Sequence, residues 1–225
     1  MKNWAEYFRN RFDQFTNHPL KVAGKTVGGY EVNIDQLDRI IDNIVSQLGL
    51  DAKDILLDLG CGSGVIANEL SPRVGKIYAV DFVEEFKYYF LSADGEKLKN
   101  IVFLVDDLAS PNVKSYSRAN SLICYEVFQY LNGQQIGHLF KELFLETRVK
   151  KGFIGGVPDA TKSKNFLGEN VQDYSQVFFE PRIGFWHKPD TIRSILEDSG
   201  WNVRIMSQPV GLYTEQYRFD IVVDR

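Results

Sequence analysis

Apolar residues recur along this chain in two rhythms. From about residue 54 onward, short runs that are apolar almost without a break alternate with segments whose apolar positions fall three and four apart. The runs at 54–59, 76–80 ("KIYAV"), 101–105 ("IVFLV"), 120–125 ("NSLICY") and 151–157 ("KGFIGGV") are predicted strands. Continuous apolarity is what a strand needs when both of its faces are covered. Between them, helical spacing predicts helices at about 63–71, 83–92, 112–118 and 134–147. Further on, "KPDTIRSILEDSGW" predicts a helix with Pro189 or Asp190 at its start and Gly200 at its end. "NVRIMSQ" and "YRFDIVVDR" follow as two last strands, parted by a loop of about ten residues, which suits an antiparallel pair ending an otherwise parallel sheet. The alternation predicts an α/β chain: a mostly parallel, seven-stranded sheet with helices on both faces.

Ahead of this unit, residues 3–16 carry Trp4, Tyr7, Phe8, Phe12 and Phe15 at helical spacing, a helix that either packs on the domain or roofs a ligand. "VAGKTVGGYEV" reads as a glycine-broken loop, and a second helix over 35–48 is predicted from Ile34, Leu37, Ile41, Ile44, Val45 and Leu48, stopped by Gly49. Residues 1–48 are thus an N-terminal helical cap. Between 159 and 188 no period is visible, yet Phe166, Tyr174, Phe178, Phe179, Phe185, Trp186 and His187 fall there, too aromatic for a disordered tail. The expectation is an ordered lid insertion. With no repeat or Pro/Gly/Ser linker, residues 1–225 read as one domain.

Chemistry concentrates in "ILLDLGCGSGVIANEL", residues 55–70: a strand with Asp58 near its end, a glycine turn, then a helix. A triphosphate loop would need a lysine in the turn, and there is none. The dinucleotide fingerprint G-x-G-x-x-G would need glycine at 65, where Val65 stands, and Asp58 would face a pyrophosphate with like charge. A ligand with a cationic end suits Asp58 better. Gly60, Gly62 and Gly64 would let backbone approach it closely. Asp81 ends the second strand, where an acid can accept from two ribose hydroxyls, a role it would equally fill in a dehydrogenase.

With these residues the chain resembles the class I S-adenosylmethionine-dependent methyltransferases. "LLDLGCGSG" is similar to that family's first motif, and "IYAVDF", "FLVDDLAS" and "SLICYEVFQYL" resemble the next three in order; the terminal "FDIVVDR" resembles the antiparallel last strand. The resemblance covers about 35–158, and 189–225 in outline. It implies a Rossmann-like class I methyltransferase fold that binds S-adenosylmethionine and releases S-adenosylhomocysteine. The residues it places at that cofactor are Asp58, Gly60, Cys61, Gly62, Gly64, Asp81, Phe82, Asp107, Leu108 and Tyr125: Phe82 packing on the adenine, Asp107 accepting from its amino group, and the Leu108 backbone against the ring. Asp106 stands where the family's third motif carries glycine. Tyr7, Tyr30, Tyr125 and Tyr130 are candidates to face a sulfonium. For a catalytic base, the candidates are His187 and Glu126, with Asp159 behind them; Tyr125 and Glu126 end the fourth strand under the transfer site. A helix-capping histidine and a turn-capping aspartate are the duller accounts of His187 and Asp159.

The motifs of amino-methylating nucleic-acid enzymes, of arginine methyltransferases and of magnesium-dependent catechol enzymes are missing, so no metal is expected and a small-molecule acceptor is favoured. The flanks, "GKTVGGYEVN" and "IGFWHKPDTIRSILEDSGW", look loosely like bacterial methyltransferases of sugar and surface-polysaccharide pathways, which suggests O-methylation of a sugar or sugar-linked group. Methylation of a protein or RNA, an NAD-dependent oxidoreductase, and a non-catalytic module of the same fold remain the alternatives.

Bulk properties alter this picture little. A net charge of -4 offers nucleic acid or an anionic membrane no overall attraction. No apolar run reaches the roughly 20 residues of a membrane span. "MKNWAEYFRNRFDQF" lacks a signal-peptide core, so a cytoplasmic location is expected. Cys61 and Cys124, on neighbouring strands, leave a regulatory disulfide conceivable, though reducing cytoplasm favours two thiols. Oligomeric state is not legible.

Overall fold

The five apolar runs form five parallel strands: β1 (Ile55–Leu59), β2 (Lys76–Asp81), β3 (Ile101–Val105), β4 (Ser121–Tyr125) and β5 (Lys151–Pro158). With β6 (Asn202–Ser207) and β7 (Arg218–Asp224) they make one seven-stranded sheet of spatial order 3-2-1-4-5-7-6. The computed structural model describes residues 4–91, 100–167 and 183–225. Strand β7 alone runs against both of its neighbours. It does not close the sheet at an edge: it lies between β5 and β6.

Helices cover both faces, as the strand composition requires. On one face, α1 (Ile34–Leu48) and α2 (Val65–Leu70) bury Leu37, Ile41, Ile44, Ile66 and Leu70 against Leu56, Ile77 and Ile123. On the other, α3 (Gly133–Glu146) and α4 (Pro189–Asp198) bury Leu139, Phe140, Ile192 and Leu196 against Leu57, Leu122 and Ile154. The α1 ends are set locally: the Asn33 side chain accepts from the Gln36 amide, and Gly49 closes the helix at φ +54°. A capping box of Asn132 and Gln135 starts α3.

Cys61 and Cys124 are both free thiols and belong to different buried clusters, one on each face of the sheet. A sheet between them leaves no path for a disulfide. The expected helices at 83–92 and 112–118 are tighter than expected, with 3₁₀ turns at Glu84–Lys87 and Val113–Tyr116. Of the lid expected over 159–188, Tyr174, Phe178 and Phe179 lie outside the described residues. Among the described residues no helix is long and apolar enough to cross a membrane.

Strand order reverses between β1 and β4, which flank the point where an α/β sheet opens a crevice at its carboxyl edge. Because β7 runs backwards, its first residue, Arg218, pairs with Pro158 and reaches that same edge. The N-terminal helix Trp4–Phe15 lies over it with no fully buried residue of its own.

Candidate functional site

The crevice is a cavity of about 1390 Å³. One wall is the glycine turn with the ends of β2 and β3: Asp58, Gly60, Cys61, Gly62, Asp81, Phe82, Asp107 and Leu108. Asp58 is buried and its Oδ2 has no hydrogen-bond partner. Burial first, then the neighbouring Asp81, push its pKa up to about 7, against a smaller pull from Lys25. Asp81 is buried too, and burial lifts its pKa to about 6. Its two oxygens accept from the Gly62 amide at 2.9 Å and the Val83 amide at 3.0 Å. A carboxylate has about four acceptor directions, so each oxygen keeps one for a ligand hydroxyl. Asp107 is exposed at the rim and caps Ala109, whereas Asp106 turns away to the Asn112 amide and the Tyr116 hydroxyl.

The three glycines of the turn divide by cause, and protein packing accounts for two of them. All have positive φ. A Cβ at Gly60 would stand 2.4 Å from Val127, and one at Gly64 2.5 Å from the Phe90 ring, so protein packing demands these two. At Gly62 the nearest atom would be Ala23 Cβ at 3.8 Å, and this residue lines the cavity.

The opposite wall comes from the carboxyl end of β4, the loop before β7, and the N-terminal helix. Glu126 has φ +58°, the one positive φ outside glycine among the described residues. Room for it is made by the Gly155–Gly156 bulge in β5, since a Cβ at Gly156 would lie 2.6 Å from Glu126 Cγ. Its Oε2 accepts from Lys25 Nζ at 2.9 Å and its Oε1 from the Tyr213 hydroxyl at 2.9 Å. Burial works to raise its pKa, but Lys25 and Arg218 together bring it below the ordinary glutamate range. Lys25 is 3% exposed and sits 4.5 Å over the Tyr125 ring. A short hairpin, Thr26–Val27 with Tyr30–Glu31, turns through Gly28 and Gly29, both at positive φ, and fixes the loop that delivers this lysine.

Arg218 is buried, at 6% exposed, and donates from Nη1 to Gln129 Oε1 and to the Gly156 carbonyl. Sequence reasoning missed Lys25, Arg218, Gln129 and Tyr213. Each is ordinary in its local stretch and becomes a site residue only through contacts 87 to 101 residues away in sequence, the longest being that of Lys25 with Glu126.

Of the tyrosines considered for a cation, Tyr7, Tyr125 and Tyr130 line the cavity. Tyr30 does not: it is 82% exposed on the hairpin. His187 does not face the cavity either. It is buried, and its Nε2 lies 2.9 Å from the Phe128 carbonyl. A carbonyl only accepts, so Nε2 carries the hydrogen, and burial lowers the ring's pKa. The residue anchors its segment to the turn after β4 and is not placed to take a proton from a ligand. Asp159 caps the Thr161 amide and hydroxyl, the duller of its two accounts. The N-terminal helix is both packing and roof: Phe8 meets Phe82 and Phe86, while Trp4, Tyr7 and Phe8 line the cavity.

Both buried acids carry a pH signature. Their folded pKa values lie above the ordinary 3.8, so the unfolded chain ionises first and the fold loses stability as pH rises from about 4 to about 7. Replacing Asp58 with Asn is expected to raise stability at pH 8 by on the order of 3 kcal/mol, and to leave it little changed at pH 4. Denaturant midpoints at the two pH values check this; a uniform shift would show that ionisation of Asp58 is not the cause.

Residues 56–148 match the family described as methyltransferase domain. Ubiquinone biosynthesis O-methyltransferase of Rickettsia felis is 23% identical over 188 residues, which cover 78% of this chain and 71% of that protein. Among solved structures, magnesium protoporphyrin IX methyltransferase (ChlM) from Synechocystis PCC 6803 with bound SAH superposes with a TM-score of 0.64 at 19% identity, over 98% of this chain and 100% of that one. The methyltransferase domain of bacterial CtHen1-CN gives 0.64 at 17%, over 84% and 100%.

Proposed function

Since the chain carries a methyltransferase domain of the class I, S-adenosylmethionine-dependent kind, we propose that it methylates an oxygen of a small molecule held under the N-terminal helix. The observation that carries this reading is the size and lining of the cavity. At about 1390 Å³ it exceeds the roughly 300–1,000 Å³ of a single-ligand pocket, and aromatic rings of a covering helix line its far side. A shape of that kind suits a compact acceptor more than a polymer. Oxygen as the acceptor atom follows the ubiquinone-pathway relatives.

The residues present fit the cofactor. The unpartnered Asp58 Oδ2 would meet its ammonium, the open Gly62 backbone would lie along it, the spare directions of Asp81 would take the ribose hydroxyls, and Phe82, Leu108 and Asp107 would hold the adenine. When bound, S-adenosylmethionine supplies a methyl group already activated on a cationic sulfur. The protein's part is then alignment and exclusion of water. Trp4, Tyr7, Phe8 and Tyr130 close the roof through edge-to-face contacts. Glu126 does not serve as base, because both of its oxygens are engaged and its proton affinity is low. It holds Lys25 and Tyr213 in place instead.

The test is transfer of labelled methyl from S-adenosylmethionine to phenols, carboxylic acids and nucleotide sugars, alongside total RNA and a cell-protein extract. Labelling of a small molecule is expected; a sugar nucleotide as the labelled one would bear out the sugar reading, and labelling of RNA or protein alone would overturn the proposal. Deleting residues 1–16 is expected to lower kcat/KM by about a hundredfold through lost alignment. The denaturation midpoint should fall far less, as the helix has no fully buried residue. Equal losses in both would make the helix a plain part of the core.

A further inference from the structure

The charges of the cavity are sorted. Among the described residues its acids are Asp58, Asp81, Asp107 and Glu126, and its bases are Arg11, Lys25 and Arg218. Three of the four acids sit on the glycine-turn wall. The fourth, Glu126, is spent on Lys25. Two guanidinium groups are left, and no carboxylate among the described residues forms an ion pair with either. Arg11 belongs to the covering helix and gives its donors to backbone carbonyls and the Tyr7 hydroxyl.

Arg218 is the deeper of the two and the more telling. Nη1 donates to neutral oxygens only, Gln129 Oε1 and the Gly156 carbonyl. Its Nε is buried without a partner, and Tyr217 lies with its ring centroid 5.6 Å from Cζ. A buried guanidinium that feels Glu126 only at a distance, shares it with Lys25 and keeps an idle N–H is costly in a protein interior unless a ligand completes it. A planar, permanently charged fork is also the side chain best matched to a carboxylate or phosphate. From the position, burial and idle donor of Arg218 we infer that the acceptor carries an oxyanion, which Arg218 holds so that the reacting oxygen faces the methyl donor. The inference rests on the proposed function and names its substrate class: a small acid, carboxylate or phosphate, with Arg218 as the residue that selects it. Neutral analogues of the same shape leave the guanidinium unmet and are rejected.

Calorimetric titration of the full chain saturated with S-adenosylhomocysteine tests this, with benzoate, phenyl phosphate and uncharged benzamide as probes. At least one of the two anions is expected to bind about tenfold or more tighter than benzamide, the increment of one hydrogen bond to a charged group. Which anion it is tells a carboxylate acceptor from a phosphate one. Arg218→Gln should erase the difference while S-adenosylhomocysteine still binds. Because that change also removes two internal hydrogen bonds, Arg218→Lys serves beside it, keeping the charge and part of the preference; the comparison within the unaltered protein needs no variant. Equal binding of all three probes, binding of none, or a preference that survives Arg218→Gln would overturn the inference and leave the methyltransferase reading standing. Failure of S-adenosylhomocysteine itself to bind would instead remove the reading beneath it.

Discussion

Alanine at position 81 is expected to weaken S-adenosylhomocysteine binding by at least about a hundredfold, while stability near neutral pH changes far less. The two effects part because Asp81 does two opposed things. Two ligand hydroxyls would lose bonds to a charged acceptor, each worth about 1.5–3 kcal/mol. In the fold, the Gly62 and Val83 amides also lose their acceptor, at a cost of about 1–3 kcal/mol each. Against that, burial holds the Asp81 carboxyl near a pKa of about 6, so its ionised form strains the native state above that pH. Removing it returns on the order of 3 kcal/mol at pH 8 and nothing at pH 4. The variant should therefore look markedly less stable at pH 4 and close to the parent at pH 8. Calorimetry and denaturant titration read the two quantities separately. Unchanged affinity would mean that the ribose lies elsewhere.

The second large effect concerns the glycine turn, where neighbouring positions should behave oppositely. Gly60→Ala is expected to destabilise by about 2–5 kcal/mol: roughly 1–2 kcal/mol for a side chain at φ +70° and about 1–3 kcal/mol for overlap with Val127. Gly62→Ala carries the backbone cost alone, since Ala23 Cβ is 3.8 Å away. Its new methyl faces the cavity, and its loss should appear in ligand affinity. If the two variants lost stability and affinity in the same proportion, the division of the turn into a packing part and a binding part would be wrong.

The sheet was readable in the sequence because burying both faces forces unbroken apolar runs, and these fix β1 to β5 to within a residue or so. The glycine-turn wall was readable for a related reason. Its residues sit within a few positions of strand ends, so local sequence carries them. Nothing local marks the other wall. Lys25 is one lysine in a glycine loop, and Arg218 opens a strand that could as well have been an edge. The paired glycines of β5 are explained only by the residues that end β4: a Cβ at Gly155 would strike the Tyr125 ring, and one at Gly156 the Glu126 side chain. His187 misled because an aromatic context around a histidine is the same for a buried anchor as for an exposed base; the Phe128 carbonyl decides between them.

The seating of β7 between β5 and β6 has a consequence for the order in which the molecule assembles. Strand β6 precedes β7 in sequence but touches the sheet only through it. It has nothing to add to until β7 has found β5, so the two must arrive as a preformed hairpin or in reverse order of synthesis. Non-local closures of this kind are slow steps. The glycine-turn half, made of β1 to β4, lies within residues 55–125 and can consolidate early. Arg218 comes to its place only with the late hairpin. A refolding chain should thus regain its affinity for S-adenosylmethionine before it regains turnover, with an interval in which it holds a methyl group and has nowhere to put it.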